Sequence, residues 1–162
     1  MKKIRQKKGF TIIEVVLVLA IAGLIFSLVF VALPGLQRAQ RDTETKNNVS
    51  VVSSGIVTYV SNNNGSFPAF NTYNSSATSL TFNAYISEVY KSNTTTIHVE
   101  DKPSSFPAKK QPSEGILYVV KGTECGTAAT DGYSLNSSTS ARAYTITAYL
   151  QAGGGTYYCQ SY

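Results

Sequence analysis

The sequence contains no tryptophan, one methionine, one histidine and two cysteines in 162 residues, and 14% of it is charged. Each scarcity removes support for a class of chemistry. The single histidine, His98, precedes Glu100 and Asp101 in a Thr-rich stretch, and a Ser-His-Asp triad can be composed from these residues only on paper. No nucleophile-elbow pattern accompanies them, so an enzyme is not expected. The cysteines, Cys125 and Cys159, lack the C-x-x-C spacing of redox and zinc sites. Gly153-Gly154-Gly155 has no following Lys-Ser/Thr and is no P-loop. Glu100, Asp101 and Asp131 read as scattered solvated carboxylates rather than a calcium site, so no cofactor or metal is expected.

Acidic residues are also missing from the start of the chain. Lys2, Lys3, Arg5, Lys7 and Lys8 stand there, and the first acid is Glu14. The formal charge of +5 comes from fourteen cations against nine acids, and five of those cations precede Gly9. From Phe10 onward nine cations meet nine acids, so the body has no net charge that would attract nucleic acid. Lys109, Lys110 and Lys121 read as a solvated face rather than a basic patch.

What the chain does have is a long apolar run. Val15 to Leu33 is nineteen residues without a charge, with Ser27 its only polar side chain. As a helix it spans about 28 Å, close to the thickness of a bilayer's hydrocarbon core. The basic run predicts an amino terminus on the cytoplasmic side and the rest of the chain outside. A cleaved secretory signal would be shorter and end at a small-x-small site. Here the only such triplet, Ala20-Ile21-Ala22, lies mid-segment with more apolar residues beyond. A plain anchor explains everything except Glu14. An intramembrane acid implies a partner, and a cut between Gly9 and Phe10 would create one in the new α-amino group. Paired across neighbouring helices, amine and acid would set the axial register between subunits.

Lys8-Gly9-Phe10-Thr11-Ile12-Ile13-Glu14, followed by VVLVLAIAGLI, resembles the class III signal of type IV prepilins and related pseudopilins. The resemblance implies that a prepilin peptidase cleaves after Gly9 and N-methylates Phe10. Residues 1–9 would be the leader peptide, and the mature subunit would wait in the cytoplasmic membrane. An assembly ATPase and a platform protein would then extrude subunits into a helical homopolymer, with Glu14 in the register-setting position. The implied fold is α+β, the pilin fold: a long N-terminal helix, transmembrane then amphipathic, packed on a small antiparallel C-terminal sheet.

Residues 10–36 are expected as the transmembrane and assembly helix, and 37–62 as its amphipathic half. Pro34-Gly35 predicts a kink or local melt in a continuing helix. Arg38, Arg41, Asp42, Glu44 and Lys46 make a polar turn where the helix should leave the lipid, and Val49, Val52, Ile56, Tyr59 and Val60 share one face. Asn62-Asn63-Asn64-Gly65 is a stop signal.

Residues 63–114 read as a long αβ-loop. Within it a short helix is expected over 79–91, capped by Ser79, with Phe82, Ile86 and Val89 on one face, and a short strand over 95–99. Residues 115–162 read as antiparallel sheet. Strands are expected over 115–120, over a half-buried 143–150 and over 156–160, with Tyr118 and Tyr144 facing the core and Tyr157 and Tyr158 on opposite faces. In an exported body the even cysteine count favours a Cys125–Cys159 disulfide, two unrelated thiols being the alternative.

The expected function is a type IV pilus structural subunit. A pseudopilin of a type II secretion or competence DNA-uptake system is the nearest alternative. A membrane-anchored adhesin that never polymerises is a more distant one.

Overall fold

The computed structural model describes residues 9–69, 71–73, 81–87, 89, 95–104, 108–129, 132–152 and 155–162. One helix, α1 (Ile12–Asn62), runs without interruption through Pro34. The chain divides into two compact units, one ending at Gln37 and the other spanning Arg38–Tyr162.

In the first unit the helix stands by itself. Among the described residues, the exposed large apolar side chains other than Val57 and Tyr162 lie between Phe10 and Leu36. The polar Ser27 conceals its hydroxyl by donating to the Gly23 carbonyl at 3.0 Å. Branched aliphatics with no core to enter are what a lipid-facing helix requires, since its backbone groups are satisfied within the helix itself.

In the second unit the amphipathic half of α1 covers a sheet. The helix ends where its sequence demands. Asn64 and Gly65 take positive φ of 52° and 82°, and the Gly65 N–H donates to the Val60 carbonyl at 2.9 Å. The Asn63 side chain donates to the Tyr59 carbonyl at 2.8 Å. These bonds satisfy carbonyls left open by the last turn.

The strands are β1 (Asn71–Tyr73), β2 (Thr96–Glu100), β3 (Ala108–Lys110), β4 (Ile116–Lys121), β5 (Thr123–Ala129), β6 (Gly132–Ser137), β7 (Tyr144–Leu150) and β8 (Thr156–Ser161). Five form one sheet in the order β1-β2-β4-β7-β8, and three form a second in the order β3-β6-β5. Pairing is antiparallel except between β2 and β4, which run parallel with Thr96 opposite Ile116. The region expected as a loop over 63–114 therefore supplies three strands, including the short strand expected near 95–99.

The core forms between α1 and the larger sheet. Val49, Val52 and Ile56 of α1 meet Ile97, Val99, Leu117, Val119, Tyr144, Ile146 and Ala148, with Tyr59 and Val60 packed alongside. Phe82, Ile86 and Val89 join this core from a segment opening with a 3-10 turn, Thr81–Tyr85, rather than the expected α-helix. Ser79, the expected cap, lies outside the described residues. Gly55 permits this close approach, because a Cβ there would meet Ile86 Cγ2 at 2.6 Å and the Tyr85 carbonyl oxygen at 2.9 Å.

Two expectations are corrected by the second sheet. Strand β7 is not half-buried: Thr145 and Thr147 are as inaccessible as Ile146. Strand β5 lies over that side of the larger sheet. The Thr123 and Thr145 hydroxyls bond to each other there at 2.7 Å, which removes the desolvation cost of hiding them. Tyr118 does not face the helix core. Strand alternation puts Leu117 and Val119 there, and Tyr118 stacks on His98 at 5.1 Å on the other face. Tyr144 does face the core, and its hydroxyl bonds Ser53 Oγ at 2.9 Å.

Candidate functional site

The site expected from the sequence begins at Gly9, the first described residue, and is built on the opening turn of α1. Phe10 is 89% exposed and Ile12 and Ile13 are nearly as open. Thr11 is the residue before the helix. Its backbone N–H and its hydroxyl each donate to Glu14 Oε2 at 2.8 Å, and the Glu14 N–H reaches back toward Thr11 Oγ1 at 3.4 Å. This reciprocal arrangement is a capping box, legible as Thr-x-x-Glu. The sequence reading sought a distant charge for Glu14 and overlooked this local partner. One carboxylate oxygen is committed to the cap. Oε1 takes no hydrogen bond among the described residues, so the acid keeps an acceptor facing outward.

In the second unit, the polar turn expected where the helix leaves lipid has a structural task. Asp42 is 8% exposed, and its two oxygens accept the backbone N–H groups of Gln151 and Ala152 at 2.6 and 2.9 Å. Arg41 pairs with Glu114 at 3.2 Å in a solvent-exposed contact. Sequence reasoning missed both, because the partners lie 73 residues away for Arg41 and 109 and 110 for Asp42. Cys125 on β5 is bonded to Cys159 on β8, with their Cα atoms 6.0 Å apart. The bridge joins the second sheet to the last strand of the first.

The residues considered for catalysis are otherwise engaged. His98 stacks on Tyr118, Glu100 pairs with Lys110, and Asp101 accepts the Lys102 backbone N–H at 2.9 Å. Lys110 also lies over the Tyr118 ring at 5.2 Å, while Lys121 lies over Phe67 at 5.8 Å, so the three lysines do not pool into one basic patch. No group of three or more metal-ligating side chains gathers among the described residues, and Asp131 lies outside them.

The body carries two burial-shifted tyrosines. Burial raises the Tyr144 hydroxyl above its ordinary value; the bond from Ser53 opposes that shift and nearby Tyr162 adds to it. Tyr162, stacked on Tyr144 at 5.1 Å, is raised for the same leading reason.

No curated protein and no solved structure matches the chain. By length and composition α1 can cross a membrane. The first part of the chain does match a family: residues 4–30 fit the prokaryotic N-terminal methylation motif, and this protein therefore carries the signature of type IV pilins and pseudopilins.

Proposed function

We propose that this chain is a prepilin, the precursor of a type IV pilus subunit. The carrying observation is the methylation motif set on a helix whose large apolar side chains from Phe10 to Leu36 are exposed among the described residues. A lone helix of that kind suits lipid before assembly and a bundle of like helices afterwards. Moving between the two exchanges lipid contacts for apolar packing at little net cost.

In this reading residues 1–9 are the leader and the prepilin peptidase cuts between Gly9 and Phe10, then N-methylates Phe10. Residues 10–36 hold the subunit in the cytoplasmic membrane with the basic end inside. Residues 37–62 carry the helix into the body, followed by the 63–114 and 115–162 regions. Glu14 sets register: Thr11 orients the carboxylate through Oε2, and Oε1 accepts the Phe10 ammonium of a neighbouring subunit. At low dielectric the attraction falls off steeply as the two charges leave matched depth, so the pair selects one axial register over its neighbours. The assembly ATPase and platform protein drive extrusion, and a pseudopilin would share all of these steps.

The test is intact mass and amino-terminal sequencing of the chain in filaments sheared from cells. A fibre-borne chain starting at N-methyl-Phe10 supports the reading. An uncut Met1 terminus in membranes overturns it, and a processed chain confined to membranes favours the pseudopilin.

A further inference from the structure

The body carries two clefts at different levels along α1, and their charges are opposite. The upper one, about 430 Å³, lies at the carboxy-terminal end of the helix. Its walls are apolar, including Ile56, Val60 and Phe67, and its charged lining is Lys121 and Arg142, with no acid. Val57 on its edge is 59% exposed, the one large aliphatic side chain of the body left so open among the described residues. No carboxylate pairs with either cation among the described residues. Asp101, in the adjoining cleft that shares Lys121, is held by the Lys102 N–H.

The lower cleft, about 600 Å³, is lined by Arg41 against three acids, Asp42, Glu44 and Glu114. Asp42 and Glu114 have partners within the chain, but exposed Glu44 has none among the described residues. Thirteen helical residues separate Glu44 from Val57, about 20 Å along the axis. The two clefts therefore cannot satisfy each other within one molecule.

Resting on the polymer reading above, we infer that the upper cleft of one subunit receives the lower end of a second copy of this chain, with Glu44 of the second copy against Arg142 and Lys121. Two different patches meeting head to tail form a heterologous interface, which propagates without closing. The chain from Phe10 onward has no net charge, so bulk attraction cannot align subunits. Local complementarity supplies the alignment and rejects other registers through like-charge repulsion. The open Val57 edge adds an apolar contact that becomes dry only when the copy is seated.

The test is filament yield, with processed subunit in the membrane measured in parallel, for the wild type, Arg142→Glu, Glu44→Arg, their double swap and Arg142→Lys. Each single reversal should cut filament yield about tenfold or more while processed subunit accumulates in the membrane. The double swap should restore it, and Arg142→Lys, which keeps the charge, should stay near the wild-type yield. Rescue across about 20 Å cannot arise by repair within one molecule, so recovery also excludes a mere folding defect. Wild-type yield from both single reversals overturns the inference, as does a double swap no better than the singles, which would assign the cleft to another occupant. Wild-type chain that is cut but never reaches filaments overturns this inference and the pilus reading together.

Discussion

Asp42 of the helix holds the backbone of Gln151, just after β7, with its carboxylate oxygen 2.6 Å from the Gln151 nitrogen. Its other oxygen takes the next N–H, from Ala152. A single side chain thereby fixes the start of the β7–β8 connection to α1 through two charge-assisted bonds. Asp42→Ala should destabilise the full-length chain in detergent by about 1–2 kcal/mol, because two N–H groups at a half-buried contact lose their charged acceptor. Asp42→Asn retains one acceptor and should lose less. Urea unfolding followed by near-ultraviolet circular dichroism checks both, and an Ala variant as stable as wild type would remove the latch.

Glu14 has a local role, in the cap, and a proposed intermolecular one, and two substitutions separate them. Thr11→Ala removes the cap, worth about 1 kcal/mol at the helix start, but keeps the carboxylate. Glu14→Ala removes both. If register is the purpose of Glu14, Thr11→Ala should assemble close to wild type, while Glu14→Ala inserts normally and yields no filaments. Equal loss in the two variants would make the cap the whole explanation.

The disulfide closes a segment whose ends are 34 residues apart in sequence. Cross-linking a loop of that length stabilises by about 3–4 kcal/mol in the chain-entropy account. Replacing Cys125 and Cys159 by Ser should lower the melting temperature of the body and leave leader cleavage unchanged. Identical melting with and without reductant would contradict this.

Tyr144 links stability to alkaline pH. Its hydroxyl is raised above the ordinary value of 10.0 chiefly by burial, so the folded state holds its proton more tightly than the unfolded chain. The resulting stabilisation is fully present below about pH 10 and is lost as pH rises from there through the folded value. Unfolding midpoints measured from pH 8 to 11 should fall at the alkaline end, and Tyr144→Phe should flatten that fall, although it also removes the bond to Ser53. An unchanged slope would move the effect to Tyr162 or elsewhere.

Period and composition sufficed for the elements that carry their own signal. The helix from Ile12, its end at Asn62, the apolar face Val49-Val52-Ile56 and the hydrophobic strands β4, β7 and β8 are all local patterns. Thr-x-x-Glu is equally local, and its capping role competes with the acid's depth, which points to a partner on another chain. Other features had no local signal. Short strands such as Ala108–Lys110 have three residues and no alternation to read, and whether the outer face of β7 is wet or dry depends on what lies over it.

By itself, the sequence determined that an uncharged segment of membrane length, Val15 to Leu33, follows a basic run, a Gly-Phe step and one acid, Glu14. Those facts follow from residue chemistry and spacing along one helix, and no other part of the chain alters them. Only the tertiary structure decided that β2 runs parallel to β4, that a second sheet covers Thr145 and Thr147, and that Asp42 is a buried latch rather than a solvated charge. Each of these depends on residues far apart in sequence meeting in space. The free energy that selects them comes from burying surfaces together and satisfying their polar groups, which no single stretch of chain can do alone.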